Sequence, residues 1–273
     1  MDNLKMNKKE QHVEKVITIY KNAEEFLDEI TPSELRGELE KYFNPEKKFK
    51  SKNDILCNLL GSLQNKQMST NVIGFWKENK VQKFKEILFD FDADRILCTY
   101  TAESLYDCFK TQFLVRNADS NRNLWKMYAQ SVISACKFIS RFNDSTDFDN
   151  FITRFAYNEF SSAALPMLLS KEIFGLGFPL ACDFLKELGY IQYPKPDVHI
   201  KNIFNAFGLC EDNDYSAYKA VIEMARIVEK TPYQVDKIFW LIGSGYYYKS
   251  DKKIGSQKQN FIQKMKKKYP HEI

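Results

Sequence analysis

Asp197 stands between Pro196 and the run Val198-His199-Ile200, eighteen residues beyond Pro179. Upstream, Gly175-Leu176-Gly177 separates two apolar stretches in a chain that holds only 10 glycines. A carboxylate in a water-poor pocket stabilises a positive charge that develops during a reaction, and an aspartate after proline can equally cap a helix. Two glycines flanking an apolar residue keep side chains clear of a turn, so backbone amides at the start of the next helix can approach a phosphate oxygen. The same triplet also reads as an ordinary left-handed cap between helices.

Apolar residues recur at three and four through most of the chain, which predicts helices over 8–30, 33–43, 53–65 and 69–89. The pattern continues over 101–158, with polar breaks at RNADSNRN and NDSTD, and resumes at 166–174, 178–189, 198–207, 214–229 and 232–243. Leu168, Leu169 and Ile173 form a stripe that ends at Gly175, and the next helix begins at Phe178 with Pro179 in its first turn. Leu176 is expected to anchor the turn in the core. The reading is all-α.

A chain of 273 residues, 44% hydrophobic and 28% charged, suffices for one core or two lobes sharing a cleft. No apolar run approaches the ~20 residues of a membrane span, and no signal segment is visible, so a soluble cytoplasmic protein is expected, nucleoid-associated if prokaryotic. The six cysteines lack any C-x-x-C spacing and read as reduced core thiols; no metal site is expected from them. Net charge is +4, yet residues 249–273 hold eight lysines against Asp251 and Glu272, a tail that suits either phosphate tracking or plain solvation.

The hairpin together with Asp197 resembles the helix-hairpin-helix/Gly-Pro-Asp DNA glycosylase superfamily. "PYQVDKIFWLIGSG", residues 232–245, is similar to the closing helix of archaeal-type 8-oxoguanine DNA glycosylases, with Asp236 and Trp240 at the base-pocket positions. "LLGSLQNKQMST", residues 59–70, resembles the helix and loop whose polar residue, Gln67 or Gln64, plugs the gap in the duplex. The resemblance implies a two-lobed helical glycosylase fold in a single unit, with lobes 1–50 plus 160–273 and 51–159 and the motif at 166–200. It departs from the family at one place. Pro179 occupies the position where many members carry the amine nucleophile, and Lys186 falls about 10 Å further up the helix axis. Lys171 and Lys195 lie outside the matching position.

What the resemblance implies is excision of a flipped damaged base, 8-oxoguanine first, from double-stranded DNA by a monomer, without strand cleavage by the hairpin helix. Asp197 would oppose the charge of an oxocarbenium-like transition state. Gly175, Leu176, Gly177 and His199 would contact the backbone, and Trp240, Phe178 and Trp76 would sandwich the base while Asp236 reads its edge. Core packing is the competing role for Trp76 and Phe178. A monovalent cation at the hairpin is the one cofactor implied. Removal of a different base is the nearest alternative, and a non-catalytic hairpin DNA-binding protein is the alternative of another class.

Overall fold

The computed structural model describes the backbone of residues 2–66, 70–120 and 122–270, and the side chains among these except 2–7, 70–71, 78 and 159–160. The chain is mostly helical. It divides into two compact units, a terminal one (Met1–Pro45 and Ile191–Ile273) and a central one (Glu46–Tyr190). The terminal unit opens with α1 (Asp2–Ile30) and a 3-10 helix (Ser33–Tyr42). The central unit holds α2 (Lys52–Leu63), α3 (Thr70–Ile73), α4 (Glu78–Ile87), α5 (Ala93–Thr99), α6 (Ala102–Phe113), α7 (Leu124–Ile139), α8 (Ser145–Arg154), α9 (Glu159–Glu172) and α10 (Phe178–Glu187). The chain then returns to the terminal unit with α11 (Val198–Ala206), α12 (Asp214–Ile227), α13 (Pro232–Ser244), the ribbon β1 (Tyr246–Tyr247) and β2 (Lys252–Lys253), and α14 (Lys258–Lys268). The second boundary, at Ile191, falls later than the expected 160, so the hairpin helices belong to the central unit.

In the central unit α2 starts at a capping box, where Ser51 and Asp54 satisfy each other's backbone amides. Its apolar face buries Ile55, Leu56, Leu59, Leu60 and Leu63. Aromatic rings fill the space around α7: Trp125 stacks on Phe113 at 4.7 Å and on Phe84 at 6.1 Å. Such rings bury about 150–250 Å² each, which makes them the largest apolar contributors to a core. The terminal unit has its own core, in which Phe239 packs edge-on to Phe204 at 4.9 Å and Phe26 meets Phe261 at 5.3 Å.

Several elements differ from the periodicity. The expected helix 33–43 is a 3-10 helix, set between Pro32 as its cap and Pro45 beyond it. The expected helix 69–89 breaks at Gly74, whose φ of +62° lies in the left-handed region, leaving α3 and α4 on either side. Helix α5 lies in a stretch for which periodicity alone suggests no element; Asp92 caps it by accepting from Asp94 and Arg95. Helix α9 begins seven residues before the expected 166 and carries Pro166 inside it. The basic tail is a packed helix: α14 buries Phe261, Ile262 and Met265, while Lys264 pairs with Glu29 and the Lys268 ammonium donates to Asn22 at 2.8 Å. No helix among the described residues is long and apolar enough to cross a membrane. Cys136 and Cys182 are buried, but Cys98 is exposed, so not every thiol is a core residue.

Candidate functional site

The hairpin between α9 and α10 forms as its glycines suggest. Gly175 adopts φ +86°, and the Leu176 amide donates to the Ile173 carbonyl at 3.2 Å, closing the turn. Leu176 is 1% exposed and anchors it. Gly177 caps α10 with no side-chain hydrogen bond, its carbonyl accepting from the Ala181 amide at 2.9 Å. The two glycines have different reasons to be glycine. A Cβ at Gly175 would stand 2.6 Å from Ser131 Oγ in a backbone conformation that side chains avoid. A Cβ at Gly177 would meet nothing nearer than Pro179 Cδ at 4.0 Å, so packing within the protein does not demand a glycine there.

An open cavity of about 440 Å³ lies against this turn, lined by Lys66, Ser170, Gly175, Leu176, Gly177 and Leu180. Lys66 reaches it from beyond the C-terminus of α2, its ammonium 4.3 Å from the centre of the Phe174 ring. Partial burial lowers the Lys66 pKa from the usual lysine range. The sequence reading of this loop picked its glutamines and passed over Lys66. The only cue was that a cation stands between Gln64 and Gln67. The carbonyl oxygens of Ile173 and Gly177 each accept one backbone amide, from Leu176 and Ala181.

Gln64 is 2% exposed, and its Oε1 accepts the Phe75 amide at 2.8 Å, bracing the loop from inside. Gln67 lies outside the described residues. Trp76 is 54% exposed, and its indole lies over Gly61, where any Cβ would be 2.2 Å from the ring. It is therefore a half-open aromatic face resting on a glycine, not a core ring. Phe178 is partly buried at the start of α10.

Asp197 caps α11: its Oδ1 accepts the amides of His199 at 2.9 Å and Ile200 at 3.1 Å. Its Oδ2 takes no hydrogen bond from the described residues, so the charge is anchored through one oxygen and offered through the other. His199 is half-buried against Gly243 of α13, where a Cβ would come 2.4 Å from its own. Its Nδ1 is buried with no hydrogen-bond partner among the described residues. Burial lowers the imidazole pKa from the ordinary 6.5, against the opposing pull of Asp197, which favours the neutral ring. A phosphate contact by His199 would thus be that of a neutral ring.

Compared with protein-family models, curated proteins and solved structures, the chain finds no match.

On α13, Asp236 is 0% exposed and its Oδ2 accepts the Lys195 backbone amide. Trp240, one turn on, is partly buried, edge-on to Tyr248 at 5.8 Å. Between them Lys237 is 4% exposed, its ammonium 5.3 Å from the Tyr233 ring, 5.5 Å from Trp240 and 4.9 Å from Tyr248. A desolvated cation over such rings gains ~2 kcal/mol or more, so Trp240 already serves one structural task. Trp240→Ala is expected to slow base release while affinity for a duplex with an abasic site stays within about twofold, because stacking on a base is worth ~1–3 kcal/mol and phosphate contacts remain. Single-turnover rates and anisotropy on a variant with native circular dichroism test this; equal losses in both assays would remove Trp240 from the base pocket.

The lysines nearest the motif are placed unequally. Lys186 is 3% exposed and lies 3.8 Å from Asp183 in the central unit. Lys171 is exposed and Lys195 partly buried. Among the described residues no three His, Cys, Asp or Glu side chains gather as a metal site. The candidate residues fall into two groups: Gly175, Leu176, Gly177, Phe178, Gln64 and Trp76 in the central unit, and Asp197, His199, Asp236 and Trp240 in the terminal one.

Proposed function

We propose that the protein is a DNA glycosylase that releases a flipped damaged base, 8-oxoguanine first, and leaves the strand uncut. The observation that carries the reading is the divided carboxylate of Asp197: one oxygen is held by two backbone amides and the other takes no bond from the described residues. A carboxylate fixed in this way cannot swing away from a developing positive charge. Breaking the bond between base and sugar leaves an oxocarbenium-like sugar, whose charge such an oxygen opposes.

Three further features fit. The cavity beside the hairpin is lined by Gly177 and Leu180 at the start of α10 and by Lys66, whose positive charge suits a backbone phosphate. A monovalent cation on the Ile173 and Gly177 carbonyls would add to that charge. Trp76 offers an exposed ring for a base taken out of the stack, a step that costs a few kcal/mol. Pro179 supplies no amine in the first turn of α10 and Lys186 is buried, so neither position offers the amine nucleophile, and the proposal assigns attack on the sugar to water.

Duplexes carrying a panel of oxidised, deaminated and mismatched bases, treated with the protein and then with alkali, test the proposal. The expected result is cleavage after alkali only, strongest with 8-oxoguanine, and no adduct when borohydride is present. No alkali-labile site on any duplex would sink the enzyme and leave a DNA-binding protein. A borohydride adduct would show that an amine attacks the sugar and would end the monofunctional reading.

A further inference from the structure

We propose that Asp236 is a positioning residue: from α13 it clamps the backbone of Lys195 and so fixes where the Asp197 carboxylate stands. This rests on the glycosylase reading for its purpose but on the structure for its geometry.

The segment from Ile191 to Asp197 has no helix or strand to hold it, yet Tyr193, Pro194 and Pro196 are buried. Proline has no amide hydrogen. In Pro194-Lys195-Pro196 the Lys195 amide is therefore the only backbone donor, and it is the one that Asp236 Oδ2 takes. The Lys195 carbonyl in turn accepts the Asp197 amide at 2.8 Å. Two consecutive hydrogen bonds thus lead from a fully buried carboxylate on α13 to the backbone of Asp197. The same helix grips the other end of the segment, where the Tyr233 amide donates to the Ile191 carbonyl at 3.0 Å. Two turns past Asp236, Gly243 gives the His199 ring its seat and so lays the start of α11 against α13.

A carboxylate kept at 0% exposure is costly unless its bonds place something. Proline fixes φ on both sides of Lys195, so the segment has few ways to move once that amide is held. A catalytic group must be held to within about 0.5 Å, and loosening its support costs rate more than binding. The competing role for Asp236 is reading the edge of the base.

The first measurement needs no variant. Hydrogen exchange of the 15N-labelled wild type must show the Lys195 amide protected although it lies outside any helix; exchange at the unstructured rate would overturn the proposal. Next, Asp236→Ala should lose that protection and slow single-turnover base release at least tenfold, with affinity for an abasic-site duplex unchanged. Asp236→Asn, which keeps an acceptor oxygen, should restore most of both. If the alanine variant does not fold, Asp236→Leu, which fills the site without an acceptor, takes its place. An asparagine variant as slow as alanine, or one that changes which lesion is preferred, would assign Asp236 to the base instead. Should the wild type release no base from any duplex, the glycosylase reading fails, while the exchange measurements still decide the clamp.

Discussion

Under the proposed function, Asp197→Asn is expected to slow base release by about 100-fold or more, equivalent to ~2.7 kcal/mol of lost transition-state stabilisation, and to leave DNA affinity little changed. Asparagine matches aspartate in size and is as good an N-cap, so its side-chain oxygen still accepts the amides of His199 and Ile200. What disappears is the negative charge at the second oxygen, which in the wild type takes no bond from the described residues. Stability should therefore stay within about 0.5 kcal/mol, as for other substitutions that break no cap, cavity or buried network. Single-turnover rates on an 8-oxoguanine duplex, with binding to an abasic-site duplex and a thermal melt as controls, make the comparison. Full activity in the asparagine variant would reduce Asp197 to a helix cap and remove the catalytic half of the proposed function.

Gly177→Glu is expected to weaken binding to every duplex by about tenfold or more, ~1.4 kcal/mol, with no preference for sequence or lesion. The substitution adds bulk and a negative charge at the cap of α10, against the cavity where a phosphate would sit. It should not unfold the protein. Gly177 has an ordinary φ of −72°, and a Cβ there has open space. Gly175→Ala is the contrasting control: its left-handed backbone and the approach to Ser131 Oγ should cost stability, ~1–2 kcal/mol from the backbone alone. Anisotropy at fixed salt, with melting temperatures for each variant, separates the two effects. Unchanged affinity in a folded Gly177→Glu protein would mean that the hairpin does not touch the phosphate backbone.

Much of the helical content was legible because its signals act within one or two turns. Periodicity marked α2 and α10 to α13 to within two residues at each end, since an apolar stripe at three and four becomes a buried face in any helical fold. The caps were equally local: Asp197 before Val198, Pro179 in the first turn of α10 and Gly175 at the turn all act on amides a few residues away. Short elements were less legible. Gly74 divides the expected helix 69–89 because a left-handed residue is compatible with the turn there, and α5 is too short for periodicity to reveal.

Tertiary structure alone decided which side chains are available. Gln64 and Asp236 are polar residues whose types suit contact with a ligand, yet each is buried on a backbone amide outside its own helix, that of Phe75, 11 residues away, or of Lys195, 41 residues away. Trp76, by contrast, is an aromatic residue suited to a core and stays half-exposed because Gly61 gives its ring a shelf. Lys66 enters the hairpin cavity and Lys186 is sealed away from it, although their residue type says nothing of either fate. The sequence by itself determined a helical chain with a glycine hairpin and a capping aspartate, because those depend on backbone chemistry between neighbours. The environment of each charged or aromatic side chain depends on burial and on partners tens of residues away, which exist only once the chain has packed.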